Sequence, residues 1–311
     1  MASGSKTVIY AALVGNSLIA VTKFIAAGLT GSSAMISEGI HSLVDTGNQV
    51  LLLYGLKRAA KPPDEHFPFG HGKEIYFWSF VVAILIFAVG SGISIYEGIR
   101  HILHPGELRN PMVNYIVLSL AILFEGAAWL FAFKAFNRVR GRQSYFEAVR
   151  RGKDPTLFVV LFEDSAALLG LVIAMVGIGL SQLTGNMLYD GLASVAIGVV
   201  LGGTAVWLAY ETQGLLIGER ASPEVVEGIR ELAGSLRVVE RVNEVLTLHM
   251  GPEYVLVTLS LEFNDAVTLE QLEAEIDNLD QRIRTSYPDV KKVFVEAESI
   301  FKAPANTKAL R

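Results

Sequence analysis

Six long apolar stretches occupy most of this chain and limit what it can fold into. They cover residues 8–29, 33–56, 76–100, 111–136, 157–182 and 188–216. A helix needs about 20 mostly apolar residues to cross the roughly 30 Å hydrocarbon core of a bilayer. With 51% hydrophobic residues overall, the chain is also too apolar for an ordinary soluble domain. The pattern predicts a membrane protein with six transmembrane helices.

Positive charge alternates between the gaps that separate these stretches. Two gaps are strongly basic, with Lys57, Arg58, Lys61 and Lys73 in one and Lys134, Arg138, Arg140, Arg142, Arg150, Arg151 and Lys153 in the other. Because basic residues favour the cytoplasmic side and the number of spans is even, both termini are expected in the cytoplasm. No targeting extension is evident in the opening residues, so we expect the plasma (inner) membrane of a bacterium.

The chain changes character after residue 218. Ser222-Pro223 favours a helix start, and two alternating runs, Glu244–Met250 and Tyr254–Phe263, are typical of a hairpin. Thr268 and Gln271 fit the capping box of a second helix, and a strand is expected over Lys292–Ala297. The order α-β-β-α-β predicts a small cytoplasmic α+β domain of ferredoxin-like type. We therefore divide the chain into a six-helix transmembrane domain, 1–218, and a regulatory or dimerising domain with its tail, 219–311.

Ionisable residues inside the second span are the strongest sign of function, because such groups are expensive in a membrane. Glu38, His41 and Asp45 are spaced i, i+3 and i+7, which places them along one helix face. An imidazole and a carboxylate one turn apart are suitable ligands for Zn²⁺, Co²⁺, Fe²⁺ or Mn²⁺. The structural alternative is a hydrogen-bonded His-Asp pair that only holds helices together. Glu38, and Asn48 about one turn beyond Asp45, are candidates to support a ligand.

The fifth span supplies two adjacent acids, Glu163 and Asp164. Neighbouring residues on a helix point about 100° apart, so both cannot easily face one ion. One is expected to bind metal while the other orients a ligand, accepts a proton or faces a polar cavity. Alternatively, one of them pairs with Lys23 of the first span.

Three further polar regions are candidates for supporting roles. Glu125 in the fourth span either supports a ligand or makes a structural pair, and Asn16 in the first span fits a hydrogen bond between helices. The turn-rich loop between the second and third spans contains Asp64, His66 and His71, which form a candidate second metal site.

Composition excludes several other functions. The chain has no cysteine, so a metal site has to use His, Asp, Glu, Asn or backbone oxygen. A formal net charge of −5 argues against a nucleic-acid partner. The HExxH motif, in which a glutamate base accompanies the two metal-binding histidines, does not occur, so we do not expect an enzyme.

The motifs together resemble the cation diffusion facilitator family. The resemblance is carried by the segment from Ser37 to Asp45, with its HxxxD, by the Phe69–Lys73 segment Phe-Gly-His-Gly-Lys, and by the small α+β tail. It implies a homodimer that exports Zn²⁺ or a related divalent ion in exchange for protons, with dimer contacts through the C-terminal domain.

The family pattern places transport ligands in the second and fifth spans. His41, Asp45 and Asp164 occupy three of the four positions, but Val160 stands at the fourth, and Glu163 is the candidate substitute. The run from Leu161 to Ala167 resembles a divergent branch that includes a mitochondrial zinc exporter. In the loop, Asp64 and His71 fall at ligand positions, whereas His66 is shifted by one.

The resulting expectation is proton-coupled efflux by alternating access, in which metal and proton compete for the same groups. Zn²⁺ ranks first on family frequency. The carboxylate-rich ligand set shifts preference somewhat toward Mn²⁺, Fe²⁺ or Co²⁺, which are the alternative substrates. A membrane metal sensor that binds ions without moving them is the alternative from another functional class.

Overall fold

The computed structural model describes residues 2–105, 110–140, 144–145, 148 and 152–298. Arg142, Arg150 and Arg151 of the second basic gap, and the tail after residue 298, lie outside the described residues. The chain divides into two compact units, Met1–Pro62 with Glu74–Gln213, and Pro63–Lys73 with Gly214–Arg311.

The first unit is built from long helices at the predicted positions. They are α1 (Ala2–Thr30), α2 (Ser33–Ala59), α3 (Glu74–Leu85), α4 (Gly92–Leu103), α5 (Pro111–Arg140), α6 (Pro155–Thr184) and α7 (Leu188–Ile217). A π-helical segment, Ile86–Ser91, joins α3 to α4, so the two form one continuous third span. The prediction of a helical membrane domain followed by a small α+β domain is confirmed.

The helices of the first unit differ in how apolar they are. Among the described residues, four helical spans are long and apolar enough to cross a membrane: Glu74–Leu103, Met112–Arg138, Phe158–Thr184 and Leu188–Ile217. The α2 helix is less apolar because its buried residues include Glu38, His41, Asp45, Asn48 and Gln49. Its polar side chains are enclosed by protein, as intramembrane polar groups require.

Local sequence signals fix the ends of the helices that carry the candidate site. The Ser32 side chain caps α2 by accepting a hydrogen bond from the Met35 amide. Asp154 caps α6 in the same way, with Pro155 in the first turn. At the other end of α6, Gly185 adopts φ 68°, a left-handed conformation that favours glycine.

The C-terminal part of the second unit has the predicted α-β-β-α-β order. It contains α8 (Pro223–Gly234), β1 (Val239–Gly251), β2 (Tyr254–Phe263), α9 (Leu269–Ser286) and β3 (Val290–Ala297). The sheet order is β1-β2-β3, with β1 antiparallel and β3 parallel to the central β2. Both helices contribute to its core, in which Ile229 and Ile283 join Val257 and Leu259 of β2.

The start of β1 is the strand boundary that differs most from the sequence prediction, whereas β3 begins only two residues early, at Val290. β1 begins at Val239 rather than at Glu244. Register shifts between Val239 and Arg241, and between Val242 and Glu244, interrupt the alternation of buried and exposed residues there. Because a bulge breaks the period of two, the alternating pattern marks only the regular end of the strand.

The Pro63–Lys73 loop packs within the second unit. A Cβ on Gly72 would collide with the carbonyl oxygen of Met250, so the loop backbone lies directly against the turn between β1 and β2. The Phe69 ring also meets Phe294 of β3 edge-on, with 6.5 Å between ring centroids. The loop with the candidate second metal site is thus held against the C-terminal sheet.

Candidate metal transport site

The buried face of α2 carries the first half of the site. The α2 helix packs against α1, α3, α4 and α6, and His41, Asp45 and Asn48 are 1%, 6% and 1% exposed. The distance from His41 Nδ1 to Asp45 Oδ1 is 3.4 Å. The spacing of one turn therefore brings the imidazole and the carboxylate together, as the sequence predicted.

The α6 helix contributes the second half through Glu163. Asn48 Nδ2 donates a hydrogen bond of 2.6 Å to Glu163 Oε1. The carboxyl groups of Asp45 and Glu163 also lie close enough to each other to interact. Asp164 is half-buried, close enough to Asp45 for their charges to interact. Glu163 is thus the fifth-span acid that directly contacts the polar face of α2.

Several polar atoms at this place have no hydrogen-bond partner within the described part of the chain. They are Nδ1 and Nε2 of His41, Oδ1 of Asp45 and Oδ1 of Asn48. A buried polar atom that makes no hydrogen bond costs about 1–3 kcal/mol, so four of them in one cluster are unusual. Imidazole nitrogen and carboxylate oxygen are the atoms that bind divalent transition metals. The cluster therefore has the right atoms available for a cation.

The ligands do not converge fully on one point. Across residues 2–105, 110–140 and 152–298, no group of three or more His, Asp or Glu side chains is arranged closely enough to hold a metal ion. The structure brings together the pairs His41–Asp45 and Asp45–Glu163, which share Asp45. A four-ligand site would need further approach of the side chains around Asp45.

A second buried cluster surrounds Lys23 on α1, whose Nζ donates to Glu38 Oε2 at 3.0 Å and to Glu125 Oε1 at 2.9 Å. The structure thus pairs this lysine with Glu38 and Glu125, rather than with Glu163 or Asp164. Glu38 was a candidate to support a ligand, and for Glu125 the sequence left open either that role or a structural pair; the contacts place both around the lysine. Asn16, the fourth residue predicted in a supporting role, is half-buried on α1.

The loop of the second unit brings together two of its three predicted metal ligands. Asp64 Oδ2 lies 2.9 Å from His71 Nε2, and Asp64 Oδ1 accepts hydrogen bonds from the amides of His66 and Phe67. The contact with His71 and the amide of Phe67 hold the pKa of the exposed Asp64 carboxyl below its usual value. His71 is buried, whereas the His66 side chain is exposed.

One buried acid was missed by sequence analysis. Asp190 in the first turn of α7 accepts hydrogen bonds from Ser32 Oγ at 2.6 Å and from Ser33 N and Oγ at 2.6 and 3.0 Å. His101 Nε2 lies 3.7 Å from the same carboxylate. The sequence feature that could have revealed this contact is the pair Ser32-Ser33 at the start of α2, because serine both caps helices and donates hydrogen bonds to carboxylates.

Comparison with known proteins identifies a family and several relatives of this chain. The cation efflux transmembrane domain family matches residues 9–217. The mitochondrial proton-coupled zinc antiporter SLC30A9 of Xenopus laevis is 33% identical over 94% of this chain and 59% of its own length. Metal tolerance protein C4 of Arabidopsis thaliana is 29% identical, over 86% of this chain and 59% of that protein.

A bacterial relative is more distant but matches over most of its length. The cation-efflux pump FieF of Escherichia coli is 25% identical over 88% of this chain and 85% of its own. The chain spans about three fifths of the zinc antiporter and of the Arabidopsis protein.

Proposed function

This chain belongs to the cation efflux family, and from that premise we propose that it moves divalent metal cations out across a membrane in exchange for protons. It is a multi-pass membrane protein, and its family consists of transporters rather than enzymes. Zn²⁺ is the first-ranked substrate, with Mn²⁺, Fe²⁺ and Co²⁺ as the alternatives. The main support is the proximity of Asp45 and Glu163 on facing helices, next to buried His41, whose two ring nitrogens have no hydrogen-bond partner among the described residues.

Charge compensation explains why such a cluster suits a divalent cation. A bare divalent ion is very unfavourable in a low-dielectric interior unless carboxylates neutralise it. Asp45, Glu163 and Asp164 supply three carboxyl groups, and His41 supplies a nitrogen ligand. We propose these four residues as the transport ligands, with Asn48 holding Glu163 toward α2 through its 2.6 Å hydrogen bond.

The same contact supports exchange with protons. Two neighbouring carboxylates repel each other, and either a proton or a metal cation relieves that repulsion. An entering divalent cation would compete with a proton for Asp45 and Glu163. Rebinding of the proton would release the cation once the site faces the other side of the membrane. Competition for one pair of groups is thus sufficient for antiport by alternating access.

The choice of metal follows from two opposing considerations. The set of three carboxyls and one imidazole favours harder ions such as Mn²⁺ more than a histidine-rich set would. Against this, the relative that is 33% identical is named as a zinc antiporter. We therefore rank Zn²⁺ first.

Location and assembly are proposals of the same kind. We propose the plasma membrane of a bacterium, with cytoplasmic termini, although the named relatives include a mitochondrial protein as well as one from Escherichia coli. We also propose a homodimer through the C-terminal domain. Leu246 and Phe294 on its sheet are 54% and 45% exposed, which gives that domain apolar surface for a second copy.

Flux into proteoliposomes tests the function and the site together. The purified chain is reconstituted under an imposed proton gradient, and uptake of Zn²⁺, Mn²⁺, Fe²⁺ and Co²⁺ is recorded. We expect uptake to be driven by the gradient, to be fastest for Zn²⁺ and to be lost in Asp45→Ala. Asp265→Ala, in an exposed turn of the C-terminal domain, is the matched control and should transport normally.

Three other results would redirect the proposal. Transport that survives Asp45→Ala would contradict the site. A clear preference for Mn²⁺ or Fe²⁺ would replace zinc as the substrate. Metal binding without flux under any gradient would favour the alternative of a membrane metal sensor.

A further inference from the structure

The buried ammonium of Lys23 has the surroundings of a bound cation. Lys23 is 0% exposed, and its Nζ donates to Glu38 Oε2 at 3.0 Å, Ser42 Oγ at 2.8 Å and Glu125 Oε1 at 2.9 Å. An ammonium group has three N–H donors, and all three have oxygen partners here. Two carboxylates and a hydroxyl, supplied by α2 and α5, thus surround one positive centre.

The oxygens of this cluster exceed what one lysine can satisfy. Oε1 of Glu38 and Oε2 of Glu125 are buried and lack a hydrogen-bond partner within the described ranges. The first of these lies so close to Gly170 of α6 that a Cβ on that residue would collide with it. Two glutamates against one lysine also leave a formal excess of negative charge. The cluster therefore has the ligand atoms and the charge to accept a cation with more than one positive charge.

The cluster lies beside the proposed transport ligands. Glu38 and Ser42 lie within one turn of His41 on α2, and the charge of Glu125 reaches Asp45. A divalent ion that entered between α1, α2 and α6 would therefore meet two adjacent groups of carboxylates. One of these groups already contains a covalently attached cation.

We propose that Lys23 is a built-in cation that occupies a second cation site formed by Glu38, Glu125 and Ser42, and that it thereby limits the membrane domain to one divalent ion. Oxygen-only ligands suit hard ions, so the site without the lysine would take Mn²⁺, Mg²⁺ or Ca²⁺ more readily than Zn²⁺. The proposal rests on the proposed function only in taking the neighbouring cluster as the transport site.

The number of bound ions is the direct test. The full chain in detergent carries Asp64→Ala and His71→Ala, so that the loop does not bind metal, and Mn²⁺ is titrated while the free ion is counted by electron paramagnetic resonance. In this background, we expect the chain with Lys23→Ala to bind one more Mn²⁺ than the chain that retains Lys23, which is called the parent below. Lys23→Arg keeps the positive charge and should not gain an ion. Lys23→Met combined with Glu38→Gln and Glu125→Gln removes all three charges and should not gain one either.

Folding of the variants is followed by thermal unfolding with and without Mn²⁺. If Lys23→Ala is unstable alone, we expect Mn²⁺ to raise its unfolding temperature more than that of the parent. A folded Lys23→Ala that binds no additional ion would overturn the proposal. So would an unstable Lys23→Ala that Mn²⁺ does not stabilise while the neutral triple variant folds.

The test of the second cation site can succeed or fail independently of the proposed transport function. Loss of flux in Asp45→Ala is measured in liposomes, whereas the additional ion is counted in detergent without transport. A chain that transports nothing but gains one Mn²⁺ in Lys23→Ala would retain the second cation site. A transporter without that gain would retain the proposed function alone.

Discussion

Asp45 and Asp190 are both buried aspartates of membrane helices, but their carboxylates have different surroundings. Asp190 accepts three hydrogen bonds from Ser32 and Ser33, and both of its oxygens are used. Within the part of the chain that the structure describes, Asp45 Oδ1 makes no hydrogen bond, and the neighbours of Asp45 are an imidazole and another acid. A carboxylate with a full set of donors holds helices together, whereas one facing other acceptors needs a proton or a cation.

Satisfaction of hydrogen bonds therefore separates structural from functional acids better than burial does. Asp190 is 0% exposed and Asp45 is 6% exposed, so burial alone would rank Asp190 as the more constrained residue. The comparison predicts opposite outcomes for substitutions at the two positions, in transport and in folding stability.

The largest effect is expected at Asp45. Asp45→Asn should abolish proton-driven metal uptake, because an amide neither neutralises the ion nor exchanges its proton. The thermal unfolding temperature of this variant should equal or exceed that of the wild type, since the substitution removes a buried carboxylate whose Oδ1 lacks a hydrogen-bond donor among the described residues. Uptake and unfolding are measured on the same preparation. A large loss of stability would show that Asp45 is a structural anchor and remove the contrast with Asp190.

The opposite pattern is expected at Asp190. Asp190→Ala leaves the Ser33 amide and two hydroxyl groups without their acceptor, which should destabilise the protein by roughly 2–4 kcal/mol. The lower stability should appear as a lower unfolding midpoint in detergent. Correctly folded Asp190→Ala should still bind metal. Ser33→Ala, which retains the backbone hydrogen bond to Asp190, is the control and should lose less stability than Asp190→Ala.

A smaller effect is expected from Asn48, which touches Glu163 rather than an ion. Asn48→Leu removes the 2.6 Å hydrogen bond that holds Glu163 toward α2. Groups that orient a metal ligand are typically worth 10–100-fold in metal affinity. We expect a loss of about that size in Zn²⁺ affinity. Gln49→Leu, a change at the adjacent buried polar residue, should lose much less Zn²⁺ affinity. Equal losses of affinity in the two variants would argue for a general effect of polarity.

The fold could be predicted closely because its signals are local or periodic. Hydropathy marked the helical spans, and the serine-proline and Thr268–Gln271 pairs marked two helix starts in the C-terminal domain. The π-helical segment Ile86–Ser91 has no comparable signal, since its composition matches the helices on either side. The bulged start of β1 was lost for a similar reason, because irregular backbone hides alternation.

The candidate site could be predicted only in part, because contacts between spans depend on helix rotation. Spacing was enough to join His41 to Asp45, which lie on one helix. The choice between Glu163 and Asp164 depends on which face of α6 meets α2, and the sequence leaves that rotation open. The partners of Lys23 were recoverable in principle. Lys23 near the end of α1 and Glu38 near the start of α2 are joined by a short turn, so they lie at similar depth.

The smallest effect is expected at Asp64, which extends the comparison from the two buried aspartates to an exposed one. Its pKa is lowered in the folded loop by His71 and by the backbone amide of Phe67. The stabilisation is therefore fully present above the unfolded pKa of about 3.9 and is lost as the pH falls through the lower folded value. The amides of His66 and Phe67 should exchange hydrogen more slowly in the wild type than in Asp64→Ala at pH 6.

That difference in exchange should shrink as the pH approaches about 3, because a protonated carboxyl is a weaker acceptor. Exchange is measured by mass spectrometry on the loop peptide, with the Tyr254–Phe263 strand as an internal reference. A difference that persisted unchanged at low pH would mean that loop packing, rather than the charge of Asp64, protects these amides. Asp64 would then be satisfied in the manner of Asp190, and the loop would be a structural element instead of a candidate metal site.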